Sequence, residues 1–298
     1  MMARLVERLP GRLPDFARLV RLDKPIGIYL LLWPPLWALW IAGDGRPDPL
    51  VVAVFVAGVI LMRSAGCAIN DYADRHFDGH VARTQARMIP AGRIRPREAV
   101  VAFAVLSLCA FALVLLMNWL TIGLSLIGLA LAAVYPYSKR HTYLPQVVLG
   151  AAFGWAVPMA FAAQTGTVPA LGWLMYVTAI LWATAYDTMY AMVDRKDDLK
   201  IGIKSTAILF GELDKLIIGI LQALVLGALF LIGQQAKLGG FYYMGLTVAA
   251  GLAIYEQWMI REREPAACFR AFLHNNWFGL VVFCGVVLDF WARGRVGV

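Results

Sequence analysis

Long apolar stretches separated by short polar segments dominate the chain, and each approaches the length of a bilayer crossing. They predict helical spans over residues 25–42, 50–70, 98–118, 120–135, 145–163, 170–193, 214–234, 241–260 and 275–293. The fourth is short and joined to the third by a tight turn around Asn118, the one place where the count of nine is easily mistaken. The pattern therefore predicts an all-α, polytopic membrane helical bundle of about nine transmembrane helices. Residues 1–24 read differently: Arg4, Arg8, Arg12, Arg18, Arg21 and Lys24 interleave with Leu, Val and Phe. That segment lacks the long apolar core and cleavage site of a signal peptide, and predicts an amphipathic cytoplasmic lead-in to a single transmembrane domain over 25–298.

Composition excludes the soluble alternatives. Hydrophobic residues make up 61% of the 298 and charged residues only 15%, far too apolar for a soluble globule or for low-complexity disorder. The net charge of +8 is not read as a nucleic-acid signal, because its distribution follows the spans. With the N-terminus inside, 22 of the 27 Lys and Arg fall on inner segments, four fall outside, and Arg63 lies within a span. Such a bias orients the chain with its N-terminus in the cytoplasm. The four cysteines, Cys67, Cys109, Cys268 and Cys284, have neither metal-ligand spacing nor a secreted-framework pattern and read as packing residues.

Two inner loops, 70–97 and 194–213, are long, polar and basic, and each follows a span that runs inward. The same arrangement four helices apart hints at a parallel repeat of spans 1–4 and 5–8. Each loop opens on carboxylates. If the second helix continues, Asn70, Asp74 and Asp78 repeat at one-turn spacing on a single face, with Asp71 beside them. At the end of the sixth span Asp187, Tyr190, Asp194 and Asp198 share a face, with Asp197 adjoining. Carboxylates so spaced repel one another, and a cation between them removes the conflict. All the donors are hard oxygens, which suit Mg²⁺ bound by one or two carboxylates with phosphate oxygens and water.

Cations surround the clusters: Arg83 and Arg87 follow the first, Lys139 and Arg140 follow the fourth span, and Lys200 and Lys204 follow the second cluster. Arg and Lys suit polyphosphate oxygens, so two facing acidic clusters with this collar predict a diphosphate held with Mg²⁺. A helix opening near Lys204-Ser205-Thr206 would add backbone N–H groups. Arg63 precedes Asn70 by seven residues and Asp187 precedes Asp194 by seven, so each lies about 10 Å deeper than its cluster. Two readings of Arg63 stay open, an ion pair with Asp187 or a partner for an anionic substrate group. Glu256 and Asp289 lie near span ends, where snorkelling or an Asp289–Arg293 pair suffices.

The stretches Asn70–Asp78 (NDYADRHFD) and Asp194–Asp198 (DRKDD) followed by LKIGIKSTAILFG resemble the two aspartate-rich motifs of the UbiA-type intramembrane aromatic prenyltransferases. RLDKPIGIYLLLWPPLWALW, GCAIND, YPYSKRHTYLPQ and YAMVDRKDDLKIGIKS are similar, within that family, to its 4-hydroxybenzoate-using members of the ubiquinone pathway. The resemblance is dense from about Arg21 to Gly211, and spans seven to nine match only in character. Where the family commonly has Arg-Pro after its first motif, this chain has Arg87-Met88-Ile89-Pro90.

The resemblance implies a helical bundle around a central cavity, in a bacterial inner membrane with its active site facing the cytoplasm. It implies transfer of a polyprenyl group from polyprenyl diphosphate to the carbon ortho to the hydroxyl of 4-hydroxybenzoate, with loss of diphosphate. Carried over by position, Asn70, Asp71, Asp74 and Asp78 hold one Mg²⁺, and Asp194 and Asp198 the other. Arg83, Arg87, Lys139, Arg140 and Lys204 bind the diphosphate, Arg63 the benzoate, and Asp187, Asp194, Arg63 and Tyr190 serve the chemistry. Substrates and membrane lipid are then the only partners expected, with no nucleic acid and no obligate protein partner. Alternatives are a relative using homogentisate, a naphthoate or haem as acceptor, and, from another class, an ion-coupled transporter.

Overall fold

The structure is a computed structural model that describes residues 2–76, 78–80 and 84–294. Among the described residues all regular structure is helical. Two short helices, α1 (Met2–Glu7) and α2 (Leu13–Leu19), precede the bundle of α3 (Ile26–Ala42), α4 (Pro49–Ala73), α5 (Pro96–Val114) and α6 (Trp119–His141). It continues through α7 (Pro145–Gly154), α8 (Ala156–Thr165), α9 (Ala170–Ile201), the short α10 (Thr206–Phe210), α11 (Asp214–Gln235), α12 (Gly240–Met259) and α13 (Pro265–Ala292). Every span expected from the apolar pattern has its helix. Six segments are long and apolar enough to cross a membrane, α7 and α8 counting as one of them. α3 is a shorter apolar helix, and α9 and α12 are diluted by Trp, Tyr and polar residues.

The third and fourth spans are separate helices, because Asn118 caps α6. Its side chain accepts from the Thr121 N–H at 2.9 Å and donates to the Ala162 carbonyl at 2.6 Å. α6 also runs past the expected residue 135 to His141, so Lys139 and Arg140 project from a helix and not from a loop. The fifth span is divided at Trp155. Pro158 explains the division, since it cannot donate to the Gly154 carbonyl four residues earlier and its ring crowds that turn. The ninth helix begins at Pro265, ten residues before the expected start.

α9 is the hub: it packs against α3, α7, α8, α10, α11 and α13. Aromatic rings fill the centre, with Trp182 of α9 against Trp37 at 5.4 Å, Tyr186 at 5.3 Å and Phe278 at 5.6 Å. Several buried polar groups outside the cavity are paired, as a hydrocarbon setting demands. Asn275 accepts from Trp182 Nε1 at 3.0 Å. Glu256 does not snorkel: it is wholly buried, accepts from Gln222 Nε2 at 3.0 Å and lies 3.2 Å from His274. Asp289 makes the expected pair with Arg293 at 2.6 Å and also takes the Gly239 N–H.

At the start of α11, Asp214 is fully buried between Arg195 of α9, at 3.2 Å, and Arg263 of the α12–α13 turn, at 2.9 Å. One carboxylate thus ties three segments. Asp214→Ala leaves two guanidinium groups without their anion and is expected to cost about 3 kcal/mol, read as a lower unfolding temperature of detergent-purified protein.

Candidate active site

α4, α6, α7 and α9, together with the turn that leads into α3, enclose a cavity of about 1170 Å³. Its walls are apolar over most of their length, with Val54, Phe55 and Val59 of α4, Phe111 and Val114 of α5, and Leu126 and Leu129 of α6 among them. Charged groups collect at one end, where Asp71, Asp74, Asp78, Arg87, Lys139, Asp194, Asp198 and Lys204 line it. Arg63 and Asp187 line it two turns deeper on their helices.

The first acidic cluster does not lie on one continuous helix. α4 stops at Ala73, and the Arg140 guanidinium of α6 satisfies the carbonyl left at that end. The spacing survives nonetheless: the Asp74 N–H donates to the Asn70 carbonyl at 2.8 Å and the Asp78 N–H to the Asp74 carbonyl at 2.9 Å. The three side chains therefore remain one above another along the cavity wall. Arg140 itself caps α4 and is not among the cavity-lining residues, whereas its neighbour Lys139 reaches in and donates to Asp74 at 3.0 Å.

Asp71 is 1% exposed and accepts two hydrogen bonds from Arg21 Nη2, at 2.9 and 3.1 Å. Arg87 lies 3.2 Å from it and donates to both oxygens of Asp78, at 3.0 and 2.8 Å. Burial pushes the Asp78 carboxyl above its usual range, with Asp74 and Asp71 adding to the push and Arg87 opposing it. Burial also works against the charge of Arg87, but Asp71 and Asp78 outweigh it and hold that group above its ordinary value. The result is an alternating chain, Arg21–Asp71–Arg87–Asp78, with Lys139–Asp74 alongside.

The second cluster is a true helical face. α9 runs unbroken to Ile201, where Gly202 at φ 73° ends it, and Asp187, Tyr190, Asp194 and Asp198 all line the cavity. Asp197 points away and pairs with Lys200 at 3.3 Å on the outer surface, so Lys200 belongs to that surface. The Tyr190 ring packs on Phe272 at 4.8 Å. Lys204 lines the cavity near the Tyr143 ring, its Nζ 3.4 Å from the His141 carbonyl. The expected N–H groups of the following helix are already used, that of Thr206 by Gln146 at 3.0 Å and that of Ile208 by Ser205 at 3.4 Å. Arg83 lies outside the described residues.

The donor set fits Mg²⁺. Asn70 Oδ1 is buried at the cavity wall, one turn below Asp74, and no group among the described residues bonds to it. Among the described residues no three His, Cys, Asp or Glu side chains converge into a ready-made cluster. Mg²⁺ needs none, since it takes one or two carboxylates and completes its shell with water and phosphate. The Nη1 of Arg63 contacts Cys67 Sγ, its Cζ lies 5.8 Å from the Phe153 ring centroid, and its Nε is buried without a hydrogen-bond partner among the described residues. Cys67 is therefore more than packing.

Arg21 is the residue that sequence reasoning missed, having been assigned with its neighbours to the membrane surface. Its position directly before the first span, in Arg21-Leu22-Asp23-Lys24, is the signal available. It sits at φ 60°, in the left-handed region that costs a non-glycine residue about 1 kcal/mol, and the Asp71 bridge holds it there. Tyr135 and Gln146 also line the cavity, and nothing in the pattern marks them. Arg21→Ala is expected to cost about 2 kcal/mol by leaving Asp71 underpaired. It is also expected to speed proteolytic cleavage within residues 74–95, read by mass spectrometry of partial digests.

The sequence profile of the UbiA prenyltransferase family matches residues 31–280. The 4-hydroxybenzoate octaprenyltransferase of Methylococcus capsulatus is 62% identical over 95% of this chain and 97% of its own length, so the likeness extends through α11 to α13. Among solved structures, the apo form of a UbiA homolog from Aeropyrum pernix superposes with a TM-score of 0.78 at 26% identity, over 88% of this chain and 97% of that one. A UbiA homolog from Archaeoglobus fulgidus, solved with GPP and Mg²⁺, has the same fold, with a TM-score of 0.66 at 17% identity over 92% and 99%.

Proposed function

The chain belongs to the UbiA prenyltransferase family, and on that premise we propose that it transfers a polyprenyl group from polyprenyl diphosphate to 4-hydroxybenzoate. The new bond forms at the ring carbon ortho to the hydroxyl and diphosphate is released, a step of ubiquinone biosynthesis. The name of the Methylococcus relative makes an octaprenyl tail the first donor to test. The observation that carries the reading is one cavity joining an apolar trough to a collar of acids and bases, with Arg63 deeper inside. Carboxylates gathered at one end weigh against an ion-coupled transporter, whose charges belong at the midplane beside broken helices. The enzyme is assigned to the bacterial inner membrane with its charged rim at the cytoplasm.

The tail lies along Phe111, Val114, Leu126 and Leu129, and the diphosphate meets Arg87, Lys139 and Lys204, with Arg83 joining them. As the allylic C–O bond ionises, negative charge accumulates on the leaving diphosphate, and these cations stabilise it at the moment it forms. Asn70, Asp74 and Asp78 on one wall would hold one Mg²⁺ and Asp194 and Asp198 on the other a second, and when bound these ions would supply further charge stabilisation there. Asp71 serves by holding Arg21 and Arg87. Arg63 binds the benzoate carboxylate and so fixes which ring carbon faces the cation. Asp187 or Asp194 accepts the phenol proton, and the ring carbon ortho to that oxygen attacks the allylic cation to give a dienone. The ring regains aromaticity as the ortho carbon gives its proton to the departing diphosphate and the carboxylic acid returns one to the oxygen. Tyr190 closes the wall beside Asp187, and the apolar lining keeps water from quenching the cation.

Two experiments test these roles. Asp74→Ala and Asp194→Ala are expected to lower Mg²⁺-dependent transfer of a prenyl group by about a hundredfold or more while the protein still elutes as a folded species. Full activity in either variant overturns the metal assignment. Arg63→Lys loses the bidentate fork and is expected to raise KM for 4-hydroxybenzoate roughly tenfold with KM for the prenyl diphosphate unchanged. An unchanged KM for 4-hydroxybenzoate ends the assignment of Arg63 to the acceptor.

A further inference from the structure

The guanidinium of Arg63 is held by three contacts, and one of them is an absence. Gly27, in the first turn of α3, is buried directly against it. A Cβ built on Gly27 would stand 2.5 Å from Arg63 Nη2 and 2.8 Å from Cζ, and the three nearest atoms it would meet all belong to this one side chain. No real Cβ tolerates such an approach. Glycine inside a helix costs about 1 kcal/mol relative to alanine, so a bare Cα here is retained against helix propensity. The other two contacts are Cys67 Sγ, one turn along α4 from Arg63, and the face of Phe153 on α7. Gly27, Arg63, Cys67 and Phe153 all line the cavity, and Arg63 Nε is buried there with no hydrogen-bond partner among the described residues.

We propose that Gly27 is a specificity-determining positioning residue: together with Cys67 and Phe153 it forms a socket that aims the Arg63 guanidinium into the cavity, and so selects acceptors that carry a carboxylate. The proposal rests on the reading that Arg63 binds the acceptor. Helix α3 contributes space where α4 contributes charge. A methyl group at residue 27 leaves α3 helical and pushes aside the flexible end of Arg63, which swings its fork away from Cys67 and from the axis on which a carboxylate would approach. Cys67 fixes the same fork from the opposite side through its sulfur, and Phe153 covers the guanidinium face, a favourable arrangement for a cation. The socket acts on the acceptor alone, because the diphosphate collar lies two turns away along α4.

The experiment is a double-mutant cycle of Gly27→Ala and Arg63→Ala in the full-length, detergent-purified enzyme, with Cys67→Val as an independent probe of the socket. Steady-state kinetics are measured with 4-hydroxybenzoate and with its uncharged methyl ester. Gly27→Ala is expected to raise KM for 4-hydroxybenzoate roughly tenfold, with kcat and KM for the prenyl diphosphate within about twofold. Cys67→Val is expected to move the same constant in the same direction. The methyl ester is expected to lose its disadvantage in both variants, and Gly27→Ala is expected to add nothing once Arg63 is alanine. An unchanged KM for 4-hydroxybenzoate in Gly27→Ala, beside a raised one in Arg63→Ala, overturns the socket and spares the Arg63 reading. An effect of Gly27→Ala that persists without Arg63 overturns the socket as well. If Arg63→Ala itself leaves this KM unchanged, the underlying reading falls and the socket with it.

Discussion

Buried charge has to be paired, and the chain Arg21–Asp71–Arg87–Asp78 is the pairing on which the shape of the charged rim depends. It joins three stretches that the apolar pattern alone leaves unrelated: the N-terminal lead-in, the end of α4 and the loop between α4 and α5. Around it pack Leu19 of α2, Ala68 of α4, and Met88, Ile89 and Ile94 of the loop, all buried in one cluster. The ionic chain fixes where the loop goes, and the apolar cluster keeps water from dissolving it. Each depends on the other, since a salt bridge of this kind gains little in water and an isolated charge is expensive out of it.

The acidic stripe is therefore already occupied. Asp74 has Lys139, Asp78 has Arg87, and Asp71 has both Arg21 and Arg87. A diphosphate arriving with Mg²⁺ brings both signs of charge to a site that holds both, so binding amounts to an exchange of partners. For the proposed reaction Lys139 and Arg87 would turn from Asp74 and Asp78 to phosphate oxygens, and those two carboxylates would turn to metal. Exchange of this kind spares the enzyme a bare cluster of repelling acids between turnovers, and it leaves the donor atoms close to where they will be used.

Much of this was legible in the sequence. Apolar run length placed a helix at each expected span, six of these segments being long and apolar enough to cross a membrane, and missed ends such as the ten-residue earlier start of α13. Tyr137–His141 on α6 and Asp194–Ile201 on α9 look like loop by composition, yet both are helical because packing and hydrogen bonding at the rim outweigh local polarity. The one-turn spacing of the carboxylates was correct on α9, while on α4 it survives a helix end whose carbonyl is satisfied by the long-range contact of Arg140 with Ala73. Arg21 and Gly27 were hidden for opposite reasons. Arg21 looked like one more basic residue at a membrane surface, and Gly27 matters through an atom it lacks.

The length of α9 carries one more consequence. Its 32 residues rise about 48 Å against a hydrocarbon core of about 30 Å, so a helix that crosses upright must overshoot the bilayer. In the proposed orientation the overshoot is the polar end that bears Asp194 and Asp198, while Asp187 follows the buried Tyr186 among the aromatic rings. For the proposed reaction the two products then part between phases. Diphosphate departs straight into water from the protruding end, and the prenylated ring, already embedded, returns to lipid without crossing an aqueous gap.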